Sequence, residues 1–159
     1  IFGFFRLDGE LVYLDPEGHT IFSGCQKRLQ VTNPEQIEKY SKMYPLGLFL
    51  FDIVYLNGIN LMPWPYHKRR TILERFIGLQ QELFGWETIR LIPTTLRTGM
   101  TARQMFELWI KNGNEGVVLK EINGSYESGK RTDNWKKVKI RDHTPFVLPN
   151  NGIAKDEEV

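Results

Sequence analysis

The side chains best suited to chemistry lie between Asn114 and Ile140, in the stretch NEGVVLKEINGSYESGKRTDNWKKVKI. Glu115 opens an apolar run, Val117, Val118 and Leu119, that closes on Lys120. After a region rich in Gly, Ser and Asn come Arg131, Trp135, Lys137 and Lys139. Successive residues of an extended strand alternate faces, so Trp135, Lys137 and Lys139 are expected on one side. Two ammonium groups on one strand face repel each other unless an anion lies between them. That arrangement suits a phosphate, and a carboxylate upstream of it suits a divalent metal. The first expectation is an enzyme of nucleotide phosphate chemistry.

The surrounding elements have to position these groups. Residues 1–14 read as two short strands, or one interrupted at Asp8-Gly9, and Asp15-Pro16-Glu17-Gly18 is a turn signal leading to a return through Thr20–Phe22. Asn33 caps a helix that starts on Pro34. Leu48 to Leu56 is a nearly continuous apolar run ending at Asn57-Gly58, which predicts a buried strand and a tight turn. Pro65 opens an amphipathic helix with Ile72, Leu73, Phe76, Ile77 and Leu79–Leu83 on its apolar side. Its Lys68-Arg69-Arg70 start reads as solvated. Ile89–Pro93 reads as a strand, and Thr101 caps a helix with Met105, Leu108 and Trp109 inward. Helices and hairpins separating strands give an α+β class, mixed and antiparallel sheets flanked by helices. Residues 1–142 read as one domain or a large piece of one, and 143–159, without periodicity, read as a linker or tail.

Composition narrows the class. The chain has 159 residues, 41% hydrophobic and 13% aromatic, enough for a core. A formal net charge of +2 argues little for nucleic acid, but Ser128 to Arg141 holds six basic residues against one acid, Asp133. Cys25 is the single cysteine, so an intramolecular disulfide is excluded and a reducing compartment is expected, cytoplasmic or nuclear rather than secreted. The longest apolar run, Leu46 to Leu56, falls short of the roughly 20 residues that span a bilayer. No GxGxxG, Walker A or HExxH motif occurs, and the three histidines are scattered. The start at Ile1, without Met and directly in strand-like sequence, reads as a fragment.

Taken in order, DGELVYLDPEG, LFLFDIVYLNG, EGVVLK and YESGKRTDNWKKVK resemble the adenylation domain of ATP-dependent DNA ligases, of the covalent nucleotidyltransferase superfamily. The likeness covers roughly residues 4 to 141, and the Pro-Tyr-His-Lys-Arg-Arg stretch is similar to that family's P…ERR..L helix start. The resemblance implies that Glu10 contacts the ribose and helps hold metal. It implies that Phe51 stacks on adenine, and that Glu115 holds a divalent metal, Mg2+ or Mn2+. Lys120, Arg131, Lys137 and Lys139 would neutralise the phosphates of ATP. The implied partner is nicked double-stranded DNA, and the implied parent a monomer working in DNA repair, replication and recombination. From composition alone, Phe51 is a core residue, Glu10 an exposed strand residue, Asp52 an acceptor of backbone hydrogen bonds at the sheet edge, and Trp135 packing. Only the FD-x-x-Y-L-x-G context changes the reading of Phe51.

One departure is large. The family's nucleophilic lysine sits in a K-x-D-G-x-R motif upstream of the DGE strand, and this chain contains no such motif. Arg6-Leu7-Asp8-Gly9 has Arg where Lys is needed, and a guanidinium stays protonated. The downstream oligonucleotide-binding fold is absent too. The chain is therefore expected to be the C-terminal part of an adenylation domain that does not adenylate itself. An RNA ligase, an mRNA-capping guanylyltransferase and a non-catalytic nucleic-acid-binding module remain as alternatives at this point.

Overall fold

The structure is a computed structural model that describes residues 3–14, 20–21, 25, 28–85, 88–94, 99–112, 114 and 116–139. Among these, the strands are β1 (Phe5–Leu14), β2 (Thr20–Ile21), β3 (Leu46–Leu56), β4 (Ile59–Asn60), β5 (Ile89–Leu91), β6 (Gly116–Lys120) and β7 (Trp135–Lys139). The helices are α1 (Pro34–Met43), α2 (Tyr66–Phe84) and α3 (Ala102–Lys111). β3 is the centre of the larger sheet. β1 runs antiparallel along one of its edges, with β2 outside β1; the other edge carries β4 antiparallel and β5 parallel. β6 and β7 form a separate antiparallel pair. This is the α+β arrangement that the sequence predicts.

β3 forms from a run rich in Phe, Ile, Val and Tyr, residues that fit a packed, pleated surface. Its register with β1 contains two irregularities. Asp8 and Gly9 are neighbours but pair with Asp52 and Leu50, leaving Phe51 over, and Arg6 and Leu7 pair with Tyr55 and Ile53, leaving Val54 over. A bulge shifts the phase of alternation. Leu50 and Ile53, three residues apart, therefore both enter the core, which an unbroken strand would forbid. Asn57 and Gly58 follow with φ of 48° and 88°, the paired left-handed conformation of a two-residue hairpin turn.

The core gathers Leu50, Ile53 and Leu61 against Leu73, Phe76 and Ile77 of α2, with Leu7, Leu48, Leu56, Ile72, Ile89 and Leu91 around them. Each fully buried side chain of this size contributes about 1.5–3 kcal/mol. α2 ends at Gly85, whose φ of 62° lets its N–H close on the Gln81 carbonyl. Asn33 caps α1 through the Glu35 and Gln36 N–H groups, and Thr101 with Gln104 makes a capping box on α3.

Three sequence expectations need correction. Leu79 and Leu83 are exposed, because the inward face of α2 is instead Tyr66, Arg69, Arg70, Leu73, Phe76, Ile77 and Gln80. Leu108 of α3 is likewise exposed, while Met105 is buried. Among the helix-start cations only Lys68 is solvated: Arg69 and Arg70 are 0% and 4% exposed. The turn proposed at Asp15–Gly18 and the tail at 143–159 lie outside the described residues.

Candidate functional site

The hairpin β6–β7 is fastened to the larger sheet by contacts from β1, β3, the segment after β4 and the start of α2. The Tyr126 hydroxyl donates to Asp8 Oδ2 at 2.6 Å, and the Tyr126 N–H to the Met62 carbonyl at 2.8 Å. The His67 N–H, one of the first-turn donors of α2 with no partner inside the helix, reaches the Ile122 carbonyl at 3.1 Å.

The largest fastening is Arg69. Its Nε and Nη2 donate to the two oxygens of Asp52 at 2.9 and 3.0 Å, while Nη1 serves the carbonyls of Trp64 and, at 3.1 Å, Gly124. Asp52 is thus not an edge acceptor. It sits in the central strand with no exposure, accepts from the Ile53 N–H at 2.9 Å and forms a buried, forked ion pair. A charge in an otherwise apolar strand demands such a partner. Arg70 is held by Glu74 at 2.9 Å and by the Ile92 carbonyl at 2.7 Å.

Within this frame the register sets Lys120 opposite Trp135, Val118 opposite Lys137 and Gly116 opposite Lys139. Directly opposed residues share a face, so Lys120 lines up with Trp135, Lys137 and Lys139. Gly116 permits the approach: at φ 154°, a Cβ there would run into the Val138 carbonyl. The Lys120 ammonium donates to the Phe51 carbonyl at 3.2 Å and lies 3.7 Å from the ring centre of Trp135, 4.6 Å from Phe51 and 4.7 Å from Tyr66. Phe51 and Trp135 meet edge to face at 5.7 Å, and Tyr126 meets Trp135 at 5.6 Å. Burial lowers the pKa of this ammonium from 10.5 to about 7; Asp52 and Asp8 oppose the shift, and Arg70 and Arg69 add to it. Burial also raises the Tyr66 phenol, and burial with the hydrogen bond to Asp8 raises Tyr126 to about 12.

Of the residues singled out from sequence, Phe51 and Lys120 meet directly. Lys137 and Lys139 follow Trp135 on the same strand face, both exposed. Arg131 is exposed in the connection between β6 and β7; its neighbours Lys130 and Lys136 pair with Glu127 at 3.9 Å and Asp133 at 3.4 Å. Glu10 is exposed on β1, opposite Phe49, and strand alternation sets it on the face of Asp8, toward the hairpin. Glu115 lies outside the described residues. Among the described residues no group of three or more His, Cys, Asp or Glu stands close enough to hold a metal ion. Sequence reasoning missed Tyr66, Tyr126, Asp8 and the Asp52–Arg69 pair. A cavity of about 670 Å³, lined in part by Arg6, Tyr55, Asn60, Met62 and Tyr126, opens beside the Asp8–Tyr126 bond.

Fold and site together define an α+β domain in which a cationic hairpin closes on an aromatic residue of the central strand. The model of the ATP dependent DNA ligase domain family matches residues 4–139, and the chain belongs to that family. A probable DNA ligase of Dictyoglomus turgidum is 32% identical over 133 residues, 84% of this chain and 22% of the relative. DNA ligase 1 of Methanosarcina mazei is 36% identical over 141 residues, 84% of this chain and 23% of the relative. The chain therefore spans just over a fifth of these curated relatives. The ligase domain of M. tuberculosis LigD superposes with a TM-score of 0.59 at 27% identity, over 85% of this chain and 37% of that one. Mycobacterial DNA ligase D complexed with ATP and MES gives the same TM-score and identity, over 85% of this chain and 38% of that one. Relatives named as DNA ligases favour that reading over the RNA-ligase and capping alternatives. Among the described residues no helix is long and apolar enough to cross a membrane.

Proposed function

We propose that residues 1–142 are the nucleotide-binding part of an ATP-dependent DNA ligase adenylation domain, with 143–159 a linker. The observation that carries this is Phe51, left over at a bulge in the central strand and flanked by Lys120 and Trp135, with Lys137 and Lys139 next on the same strand face. The purine of ATP stacks on Phe51. Glu10 takes the ribose, and the phosphates run toward Arg131, Lys137 and Lys139. Solvent-exposed cations suit a phosphate chain that must arrive, react and leave. The whole protein transfers AMP to a lysine from a K-x-D-G-x-R segment, which this chain lacks. It then passes the AMP to the 5′-phosphate of nicked double-stranded DNA and seals the nick, in repair, replication and recombination, as a monomer inside the cell.

A divalent ion, Mg2+ or Mn2+, would be held by Glu10 and Glu115 together with the substrate's own phosphates. Magnesium commonly binds through one or two carboxylates plus phosphates, so a dedicated three-carboxylate cage is not required. Such an ion would withdraw charge from the α-phosphate as the nucleophile attacks.

The test is to join this chain to an upstream segment carrying the K-x-D-G motif and incubate both forms with α-labelled ATP and magnesium. Covalent label on the longer chain alone is expected, and Lys137→Ala in it should cripple labelling. An unlabelled longer chain would sink the ATP assignment. Steeply salt-dependent duplex binding without labelling would point to a nucleic-acid-binding module.

A further inference from the structure

Phe51 has no pairing partner on β1, so the strand ladder does not fix it. Bulges of this kind re-aim a side chain and are frequent beside active sites. Phe51 is held by Trp135, edge to face at 5.7 Å, and by Lys120, which touches it twice: the ammonium hydrogen-bonds its carbonyl at 3.2 Å and lies 4.6 Å from its ring centre. The same ammonium is enclosed by Trp135 and by Tyr66, which is 6% exposed. Among the described residues no carboxylate forms an ion pair with it. Three rings crowd this nitrogen, whereas Lys137 offers an exposed ammonium further along the same face.

We infer that Lys120 is a positioning residue, a charged brace that holds Phe51 in place from within the aromatic enclosure, and not a ligand of the phosphate chain. The inference rests on the nucleotide reading above and assigns Lys120 to the base end of the ligand. A cation against an aromatic face is attracted by the ring quadrupole, and the attraction strengthens when both are shielded from water. Removing the charge frees the one residue of β3 whose ring would carry the purine.

The groups facing Lys120 are Asp8 from β1, Asp52 from β3, Tyr66, Arg69 and Arg70 from α2, Tyr126 from the β6–β7 connection and Lys137 along β7. With burial its dominant influence, the ammonium gives up its proton near neutral pH. The brace therefore carries more charge at pH 6 than at pH 8.5.

The decisive experiment is calorimetric titration of the full chain with adenosine, AMP and ATP, in the unaltered form and as Lys120→Met, Lys120→Arg and Lys137→Ala. A brace predicts that Lys120→Met weakens all three ligands by one common factor of about ten, with Lys120→Arg recovering much of the loss. Lys137→Ala should weaken ATP and spare adenosine. Adenosine carries no phosphate and does not titrate between pH 6 and 8.5. Its affinity for the unaltered chain should fall several-fold across that range and stay flat in Lys120→Arg. A loss in Lys120→Met that is absent for adenosine and grows toward ATP would overturn the brace and restore a phosphate contact. If the unaltered chain binds none of the three, the nucleotide reading fails and the brace fails with it.

Discussion

Two cations tie the hairpin to the larger sheet, Arg69 fully buried and Lys120 half-buried, and they are treated in opposite ways. Arg69 commits all three nitrogens of its guanidinium: both oxygens of Asp52, the Trp64 carbonyl and the Gly124 carbonyl take its donors. Lys120 has one carbonyl partner and three ring faces. The residue types match these roles. A guanidinium is planar, permanently charged and built for forked pairing, while an ammonium is a point charge that releases its proton when desolvated. A buried charge whose partners are all supplied acts as a fastener between segments. One enclosed by aromatic faces without a counter-ion responds to pH and to whatever binds beside it.

The sharpest way to break this contrast is to remove the fastener. Arg69→Ala leaves Asp52 charged, buried and unpaired, and also releases the Gly124 carbonyl that ties down the β6–β7 connection. A loss of about 3–5 kcal/mol is expected, read as a lower midpoint in urea unfolding. Arg69→Lys should recover little, because a single ammonium cannot bridge both oxygens of Asp52 and two carbonyls at once. A cost below about 1 kcal/mol would show that Arg69 is no more structural than a surface residue.

Lys120 should behave in the opposite sense. Lys120→Met keeps the apolar stem and removes a desolvated charge that has no counter-ion, so at pH 6 the variant should be more stable by about 1–2 kcal/mol. The sign with pH follows from linkage. The folded chain releases the Lys120 proton near pH 7 and the unfolded chain near its ordinary 10.5, so between those values the unfolded state binds more protons. Stability of the unaltered chain contributed by this group rises through that window, and the advantage of Lys120→Met should shrink toward pH 10. Thermal melts of both forms from pH 6 to pH 10 measure the difference. A constant gap would mean that Lys120 titrates normally and is not enclosed.

Much of the fold was legible because its signals are local. The Asn33 and Thr101 caps, the Asn57-Gly58 turn and the apolar run of β3 each depend on neighbours a few residues away. The face shared by Trp135, Lys137 and Lys139 was legible too, since strand alternation needs no knowledge of the partner. The Asp52–Arg69 pair was not, because its halves are separated by 17 residues and a doublet of arginines at a helix start ordinarily faces water. Nor does any residue type announce the bulge that leaves Phe51 over; it exists only in the register between β1 and β3. The same holds for the surroundings of Lys120: three rings from three elements make its environment, and only the folded chain brings them together.

Tyr126 offers the finest cut, because it touches both halves of the comparison. Its ring lies 5.9 Å from the Arg69 guanidinium carbon and 5.6 Å from Trp135, one wall around Lys120, while its hydroxyl donates to Asp8. Tyr126→Phe keeps the ring contacts and deletes only the donor. The expected stability loss is about 1 kcal/mol, that of a single hydrogen bond to a charged acceptor partly open to water. The informative effect is on titration. Without the hydroxyl, the negative charge of Asp8 is less neutralised, and Asp8 is one of the two carboxylates that help Lys120 keep its proton. The Lys120 transition should therefore move above pH 7, and the rise in stability with pH should begin later in Tyr126→Phe than in the unaltered chain. Arg69 cannot register the change, since its guanidinium does not titrate in this range. Thermal melts across pH 6 to 10 again suffice. A full stability loss with an unmoved pH profile would separate Asp8 from the field at Lys120 and leave Asp52 as the carboxylate that sets it.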